Sequence, residues 1–380
     1  MTLPIARPLK LFVLAGEPSG DRIAADVVRR LRERTPVDLS GVGGEELSGQ
    51  GLQSLFPMSD LAVMGVTDVL KRLPLLLWRI EQTARAIRAS QPDIVVLFDA
   101  QDFSALLARR LRRKGYDRPI LLYVAPSVWA RSPGRAPKLV PLFNEVLAVL
   151  PFEPGVMSRL GGPPTAYVGH PALGERLTLR DAVDTGPMVL LPGSRDGELR
   201  RHLPLFRQVA AEVANHPAVS GFVIPTLPAL AERLRREVAD WPVPVTVISE
   251  RSARAALYER AVLALAVSGT ATLELALAGV PMVISYVMDG HQARVYEKIN
   301  RPMIGLPNIV LKRLAAPELV LSQPDAGLLL SAVRVLLDDK AARQAQIEAF
   351  GEMSNLMEYG EADAPRQDPA ERILAWWPRS

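Results

Sequence analysis

The sequence predicts an α/β protein made of two Rossmann-like domains facing each other across a cleft, on three observations. Short apolar runs alternate with segments of helical spacing along the chain. The alternation lapses into Gly, Pro and polar residues at Gly161–Thr185 and then restarts. Each half opens on an apolar run that stops at a glycine-containing loop, "LFVLAGEPSGD" (Leu11–Asp21) and "PMVLLPGSRDGEL" (Pro187–Leu199). The domains are therefore expected at 1–165 and 187–380, with a linker at 166–186. A chain of 380 residues is long enough for two domains that each bury a core.

The elements follow from the pattern in order. Leu9–Ala15 reads as a strand and Asp21–Arg34 as a helix; Val37–Gly44 is a second strand ending in a glycine turn. Leu61–Ser90 has helical spacing and is expected to break near Pro74, whose ring removes an amide donor. Pro92–Ala100 is a buried strand, Phe103–Lys114 a helix, Arg118–Pro126 a strand, and Glu145–Pro154 a short strand running into a loop. From Pro187 the cycle of strand, glycine loop and helix resumes, followed by "GFVIPT", "VPVTVIS", the stretch Ala261–Val287 and "GLPNIVLKR". Ala261–Val287 has a single charge, Glu274, and is long enough to span a bilayer. Ser-Gly-Thr and Gly-Val-Pro cut it into pieces, so it reads as a buried strand, a helix and another buried strand.

Composition narrows the function classes. There is no Cys, which excludes disulfides, thiolate metal sites and Cys nucleophiles and suits a reducing cytoplasm. The apolar start of the chain has no small-residue cleavage site after it and fits a first buried strand better than a signal peptide. The net charge of +4 is concentrated in Arg-rich clusters at Arg109–Arg118, Ala130–Lys138 and Leu199–Pro204. Such clusters suit phosphorylated ligands, an anionic membrane or plain solvated helix faces. Without aromatic interleaving or a basic helical arm, nucleic acid is not the expected partner. The four His (His170, His202, His216, His291) are too scattered to suggest a metal site, and His170 reads as a packing residue.

Ligands of parallel α/β sheets sit beyond the carboxyl ends of the strands, which singles out particular residues. Asp99 ends an apolar strand and is placed to act as a general base, whereas Asp102 is positioned to cap the next helix. Their D-x-x-D spacing lacks the D-x-D cue for a metal-held nucleotide sugar. Arg195 follows a strand and suits a departing diphosphate, or else pairs with Asp196 or Glu198. Ser268-Gly269-Thr270 opens a helix whose free N–H groups suit a phosphate, and Glu274, one turn on, can accept ribose hydroxyls. Glu17, Ser19 and Asp21 offer polar groups around Gly16 and Gly20, with Ser19 and Asp21 also placed to cap the helix. Leu61–Ile80 is more apolar than one amphipathic face needs: Met64, Val66, Val69, Leu70, Leu73, Leu75, Leu76, Leu77 and Trp78 lie among Lys71, Arg72 and Arg79. That suits either a membrane interface or a kinked core helix.

Ten motifs in register resemble the lipid-A-disaccharide synthase family: "AGEPSGD", "GVGG", "LAVMGVTDVLKRL", "DAQDF", "SVWA", "LPFEP", "VGHP", "LPGSR", "SGTATLELAL" and "LPNIV". The resemblance implies a GT-B-like fold and an inverting, metal-independent glycosyl transfer with no cofactor. It implies UDP-2,3-diacylglucosamine as donor, 2,3-diacylglucosamine 1-phosphate as acceptor, and a β(1→6) disaccharide 1-phosphate plus UDP as products. It places the enzyme in the cytoplasm, peripherally on the inner membrane, and leaves a homodimer open. Carried over by motif, Glu17, Ser19, Gly20 and Asp21 line the acceptor side and Asp99 is the base. Arg195, Ser268, Gly269, Thr270, Glu274 and Asn308 surround the UDP part of the donor. The chain departs from the family pattern at Arg131-Ser132, at Val287 and at "IVLKR", where Lys312 stands in place of a glycine. Other readings are a different GT-B-type UDP-sugar transferase or epimerase, or a catalytically idle nucleotide- or membrane-binding protein.

Overall fold

The computed structural model describes residues 7–61, 66–130, 132–175, 181–298 and 302–378. Met64, Arg131, and the side chains of Val66, Val69, Leu70, Lys71 and His291 lie outside what is described. The chain forms two compact units, Met1–Pro171 with Tyr359–Ser380, and Ala172–Glu358.

The first unit holds a parallel sheet of β1 (Leu9–Ala15), β2 (Val37–Val42), β3 (Ile94–Phe98), β4 (Ile120–Tyr123), β5 (Glu145–Ala148) and β6 (Thr165–Tyr167). Its order is β2-β1-β3-β4-β5-β6. Strands covered on both faces need continuous apolar runs rather than alternation, and β3 is buried at every position. Helix Pro18–Arg32 turns Ala24, Val27, Val28 and Leu31 inward at three- and four-residue spacing and keeps Arg29 and Arg32 in water. One continuous core joins Phe12, Leu14, Leu97, Leu107, Leu122 and Val146.

The second unit repeats the plan with β7 (Gly186–Leu191), β8 (Val219–Pro225), β9 (Val245–Ile248), β10 (Leu263–Val267), β11 (Met282–Val287) and β12 (Glu318–Leu321). All pairs are parallel, in the order β12-β11-β10-β7-β8-β9. Ala261–Val287 is, as expected, strand, helix (Thr270–Leu277) and strand. Among the described residues no helix is long and apolar enough to cross a membrane.

The architecture departs from expectation first at Pro74, at the linker and at the end of the chain. The helix Val66–Ser90 runs unbroken through Pro74; one missing donor costs a single bond of a 25-residue ladder whose other bonds remain. The expected linker begins inside β6, the edge strand of the first sheet, which pairs with β5 at Val146 and Thr165. The last residues, expected in the second domain, belong to the first unit. Glu145 on β5 is 2% exposed and accepts from Arg372 Nε at 3.0 Å and Nη2 at 2.5 Å, and from Trp376 Nε1 at 2.7 Å. Asp368 adds ion pairs to Arg30 and Arg34, and Gln367 N–H donates to the Tyr167 carbonyl at 2.9 Å. A buried carboxylate demands a cation, and the one that answers comes from the far end of the chain, where periodicity carries no signal.

Lys312 ends helix Leu306–Leu311 with φ +57°, in the left-handed region. Glycine occupies that region without the steric cost other residues meet. Lys312→Gly is therefore expected to raise stability by about 1 kcal/mol. A urea melt in which the midpoint falls would contradict it.

Candidate active site

In an open parallel sheet the binding crevice lies where the strand order reverses, outside the carboxyl ends. In the first unit that point falls between β1 and β3, which pair directly. The Gly16–Asp21 segment leaves β1 there, and Asp99 leaves β3. Asp99 and Ala100 are both left-handed, at φ 55° and 42°. Two such residues in succession cost about 1–3 kcal/mol each and persist only where the surroundings hold them. They are held by Asp99 N–H donating to the Tyr123 carbonyl at 3.1 Å and by Ser104, whose Oγ donates to the Asp99 carbonyl at 3.0 Å. The Asp99 carboxylate is left half-buried, accepting from Ser19 Oγ at 3.3 Å.

Helix Pro18–Arg32 begins earlier than expected, so Glu17 is its N-cap residue and Ser19, Gly20 and Asp21 lie in its first turn. Glu17 and Ser19 are exposed. The glycines serve close approach. A Cβ at Gly16 would lie 2.5 Å from the Ala100 Cβ, and one at Gly20 would lie 3.3 Å from the Asp99 Cβ. Gly16→Ala is expected to push the Asp99–Ala100 turn out of place, costing roughly 1–3 kcal/mol and about tenfold in turnover. Wild-type turnover at unchanged Tm in that variant would show that the contact does not set the site.

Two of the expected residues are turned elsewhere. Asp21 is 3% exposed, and its carboxylate accepts from the N–H groups of Gly44 at 2.7 Å, Glu46 at 2.9 Å and Leu47 at 3.4 Å. It fastens the "GVGG" loop instead of lining the acceptor side, because the helix start at Pro18 rotates it inward. Asn308 is fully buried. Its Oδ1 accepts from Ala315 and Ala316 N–H, both at 2.8 Å, and its Nδ2 donates to the Ala316 carbonyl at 2.8 Å and Glu318 Oε1 at 2.6 Å. An amide with four such bonds is saturated, so the Asn308 side chain braces its own loop. Asp102 is exposed and pairs with Arg135 Nη2 at 2.6 Å instead of capping the helix Gln101–Arg113.

In the second unit the order reverses between β7 and β10, again a directly paired couple. Beyond β7, Arg195 is the N-cap residue of helix Asp196–Val213. Buried Glu198 accepts Ser194 N–H at 3.1 Å, Arg195 N–H at 3.2 Å and Arg195 Nη1 at 2.8 Å. Burial pushes the Glu198 carboxyl up, but those donors outweigh it and hold it below its usual range. The Arg195 side chain is still 79% exposed, so its guanidinium is paired yet presented to solvent. Asp196 pairs with Arg233.

Beyond β10, Gly269 is the N-cap residue of helix Thr270–Leu277, and both Gly269 and Thr270 are exposed. Ser268 Oγ donates to the Ile304 carbonyl at 2.7 Å. Ile304 and Gly305 N–H in turn donate to Glu318 at 2.9 and 2.8 Å, so Asn308 and Glu318 brace the loop on which Ser268 rests. Glu274 meets Arg254 Nη1 at 3.3 Å, both side chains about one-third exposed.

Some of the other basic and motif residues are engaged within the fold. Arg110 pairs with Glu81, and Arg112 donates to the carbonyls of Leu142, Tyr116 and Arg118 and to Asn144. Burial pushes the His170 imidazole down to about 4, so it is neutral near pH 7. The "SVWA" and "LPFEP" motifs meet: Trp129 Nε1 donates to Glu153 at 3.3 Å and its ring lies edge-on to Phe152 at 5.3 Å. Burial pushes the Glu153 carboxyl up to about 7 despite three N–H donors. Arg254, Glu318 and His202 were not singled out as site residues; each acts through a non-local partner, and no spacing marks them.

Two parallel sheets, each bringing polar loops to its own switch point, define the α/β architecture of GT-B glycosyltransferases. The fold is shared with solved structures at low identity. The kitacinnamycin glycotransferase matches with TM-score 0.61 and 16% identity over 98% of this chain and 100% of that one. MnaA of S. aureus, solved with UDP, gives 0.61 and 14% over 96% and 95%, and MurG of Acinetobacter baumannii gives 0.53 and 17% over 92% and 99%. The family model LpxB, lipid-A-disaccharide synthetase, matches residues 11–367. The lipid-A-disaccharide synthase of Nitrobacter winogradskyi is 40% identical over 377 residues, 96% of this chain and 95% of that protein. That of Rhodospirillum centenum is 39% identical over 381 residues, covering 97% and 94%. The chain belongs to the lipid-A-disaccharide synthase family and is a glycosyltransferase.

Proposed function

We propose that the enzyme transfers 2,3-diacylglucosamine from UDP to the 6-hydroxyl of 2,3-diacylglucosamine 1-phosphate with inversion, forming the β(1→6) disaccharide 1-phosphate. Asp99 takes the proton of the acceptor hydroxyl as its oxygen attacks the anomeric carbon. The bond from that carbon to the UDP oxygen breaks, and its electron pair leaves on the β-phosphate. Arg195 and the exposed N–H groups at the start of helix Thr270–Leu277 stabilise that charge. Glu274, already against Arg254, accepts the ribose hydroxyls. Glu17 and Ser19 contact the acceptor sugar. The observation that carries this reading is Asp99, held in strained backbone at a switch point with its carboxylate accepting from Ser19.

The decisive assay supplies UDP-2,3-diacylglucosamine and the acceptor without added metal and follows products by mass spectrometry. UDP release that needs the acceptor and yields the disaccharide supports the reading. UDP release without acceptor, an epimerised sugar or no product under any combination overturns it.

The same reading includes peripheral docking on the cytoplasmic face of the inner membrane, supported by an apolar ridge on helix Val66–Ser90. Leu73 and Leu77, four residues apart on one helix face, are 41% and 53% exposed, and Trp78, about a quarter-turn round from Leu77, is 54% exposed. Arg79 does not flank this ridge freely: it is tied to Asp60 and lies over the Phe56 and Trp78 rings. Leu77→Glu with Trp78→Glu is expected to lower flotation with anionic phospholipid vesicles by about tenfold. Equal flotation of a folded double variant would remove this face as the contact.

A further inference from the structure

His202 is fully buried and ties helix Asp196–Val213, which follows β7, to the end of β11 on the other side of the second unit's switch point. Its Nδ1 lies 2.8 Å from the Glu198 carbonyl, and its Nε2 lies 2.9 Å from the Val287 amide nitrogen. A carbonyl only accepts and an amide N–H only donates. The imidazole must therefore be neutral, protonated at Nδ1 and bare at Nε2. Val287 is the last residue of β11, and the ladder from β10 to β11 ends at the Val267–Ser285 pair. The His202 nitrogen thus supplies the partner that the outgoing strand needs where its neighbour stops. Its ring packs against Phe206 and Tyr286, at centroid distances of 6.1 and 5.9 Å, and the Tyr286 hydroxyl accepts from Gln292 at 3.2 Å.

Glu198, the residue whose carbonyl receives His202, uses its carboxylate to hold Ser194 and Arg195. We propose that His202 is a positioning residue for nucleotide binding: in its single neutral tautomer it locks the Ser194–Arg195 loop to the end of β11, and protonation at Nε2 opens that lock. The inference rests on the reading that Arg195 contacts the UDP phosphates. The titratable groups that face His202 are Glu198 and Arg201 on its own helix and Tyr286 on β11. Burial holds the imidazole below its usual range, with Arg201 acting in the same direction and Glu198 against it. The lock is thus closed at neutral pH and lost in acid.

The test measures UDP affinity by titration calorimetry for the wild type, His202→Gln, His202→Phe and Arg195→Ala, from about pH 5 to about pH 8. Gln retains a donor and an acceptor but does not titrate. His202→Phe is expected to weaken UDP binding at neutral pH by roughly 3- to 30-fold. His202→Gln should bind nearly as the wild type at neutral pH and lack the wild type's additional loss in acid; the titration of UDP itself is common to both. A His202→Gln profile that follows the wild type at every pH, or a folded His202→Phe that binds normally, overturns the proposal. If His202→Phe does not fold, the His202→Gln profile decides alone. Normal UDP binding by Arg195→Ala defeats the phosphate-contact reading instead. Hydrogen exchange at the Val287 amide then still judges the lock: it must quicken in the wild type in acid relative to His202→Gln, and equal exchange rejects it.

Discussion

Asp99→Asn is expected to lower kcat by about 10²- to 10⁴-fold and to leave UDP affinity unchanged. The substitution keeps the side chain's shape and its ability to accept from Ser19 Oγ, which lies 3.3 Å away, while removing its basicity. The strained turn is held by backbone carbonyls and Ser104, none of which the change touches. Loss of turnover with an unaltered melting temperature and unaltered UDP titration is therefore the signature of a base. Turnover within a few-fold of wild type would remove Asp99 from that role.

Arg195→Ala is expected to reduce kcat/KM by about 10²- to 10³-fold, the range seen when a group stabilising developing charge is removed. Unlike the Asp99 change, it should also weaken UDP. The side chain is mostly in solvent, and its link to Glu198 spans three residues of one helix start, so the fold loses little. Ser194 and Arg195 N–H still hold the Glu198 carboxylate in the variant. A fall in Tm of several degrees with unchanged UDP affinity would mark Arg195 as a helix-capping residue alone. Lysine at this position is expected to restore part of the activity, because it supplies the charge without the planar fork.

The switch-point residues were legible because they sit where simple patterns end. A buried parallel strand reads as an unbroken apolar run, and the first polar residue after it marks the carboxyl end. Asp99 and Ser268 follow β3 and β10 directly in that way, whereas Arg195 lies at the far end of the loop after β7, as the N-cap of the next helix; the three strands flank the order reversals. Glu274 stood out as the lone charge of an apolar stretch, and it meets Arg254 where both side chains are about one-third exposed. Asp21 and Asn308 show the limit of motif-based transfer. Both belong to the motifs, yet the fold spends their polar atoms on backbone groups of neighbouring loops.

Local sequence alone determined the alternation of strands and helices, the reading of Ala261–Val287 as three short buried elements and the strand ends where polar residues take over. These depend on which side chains must leave water, and that depends on residue type and spacing within one element. Tertiary structure decided what spacing cannot encode. It set which strand ends adjoin, which carboxylates face solvent and which brace a loop, and why the last residues return to β5 and β6. Those outcomes follow from buried polar groups finding partners far along the chain, as Glu145 finds Arg372 and Val287 finds His202.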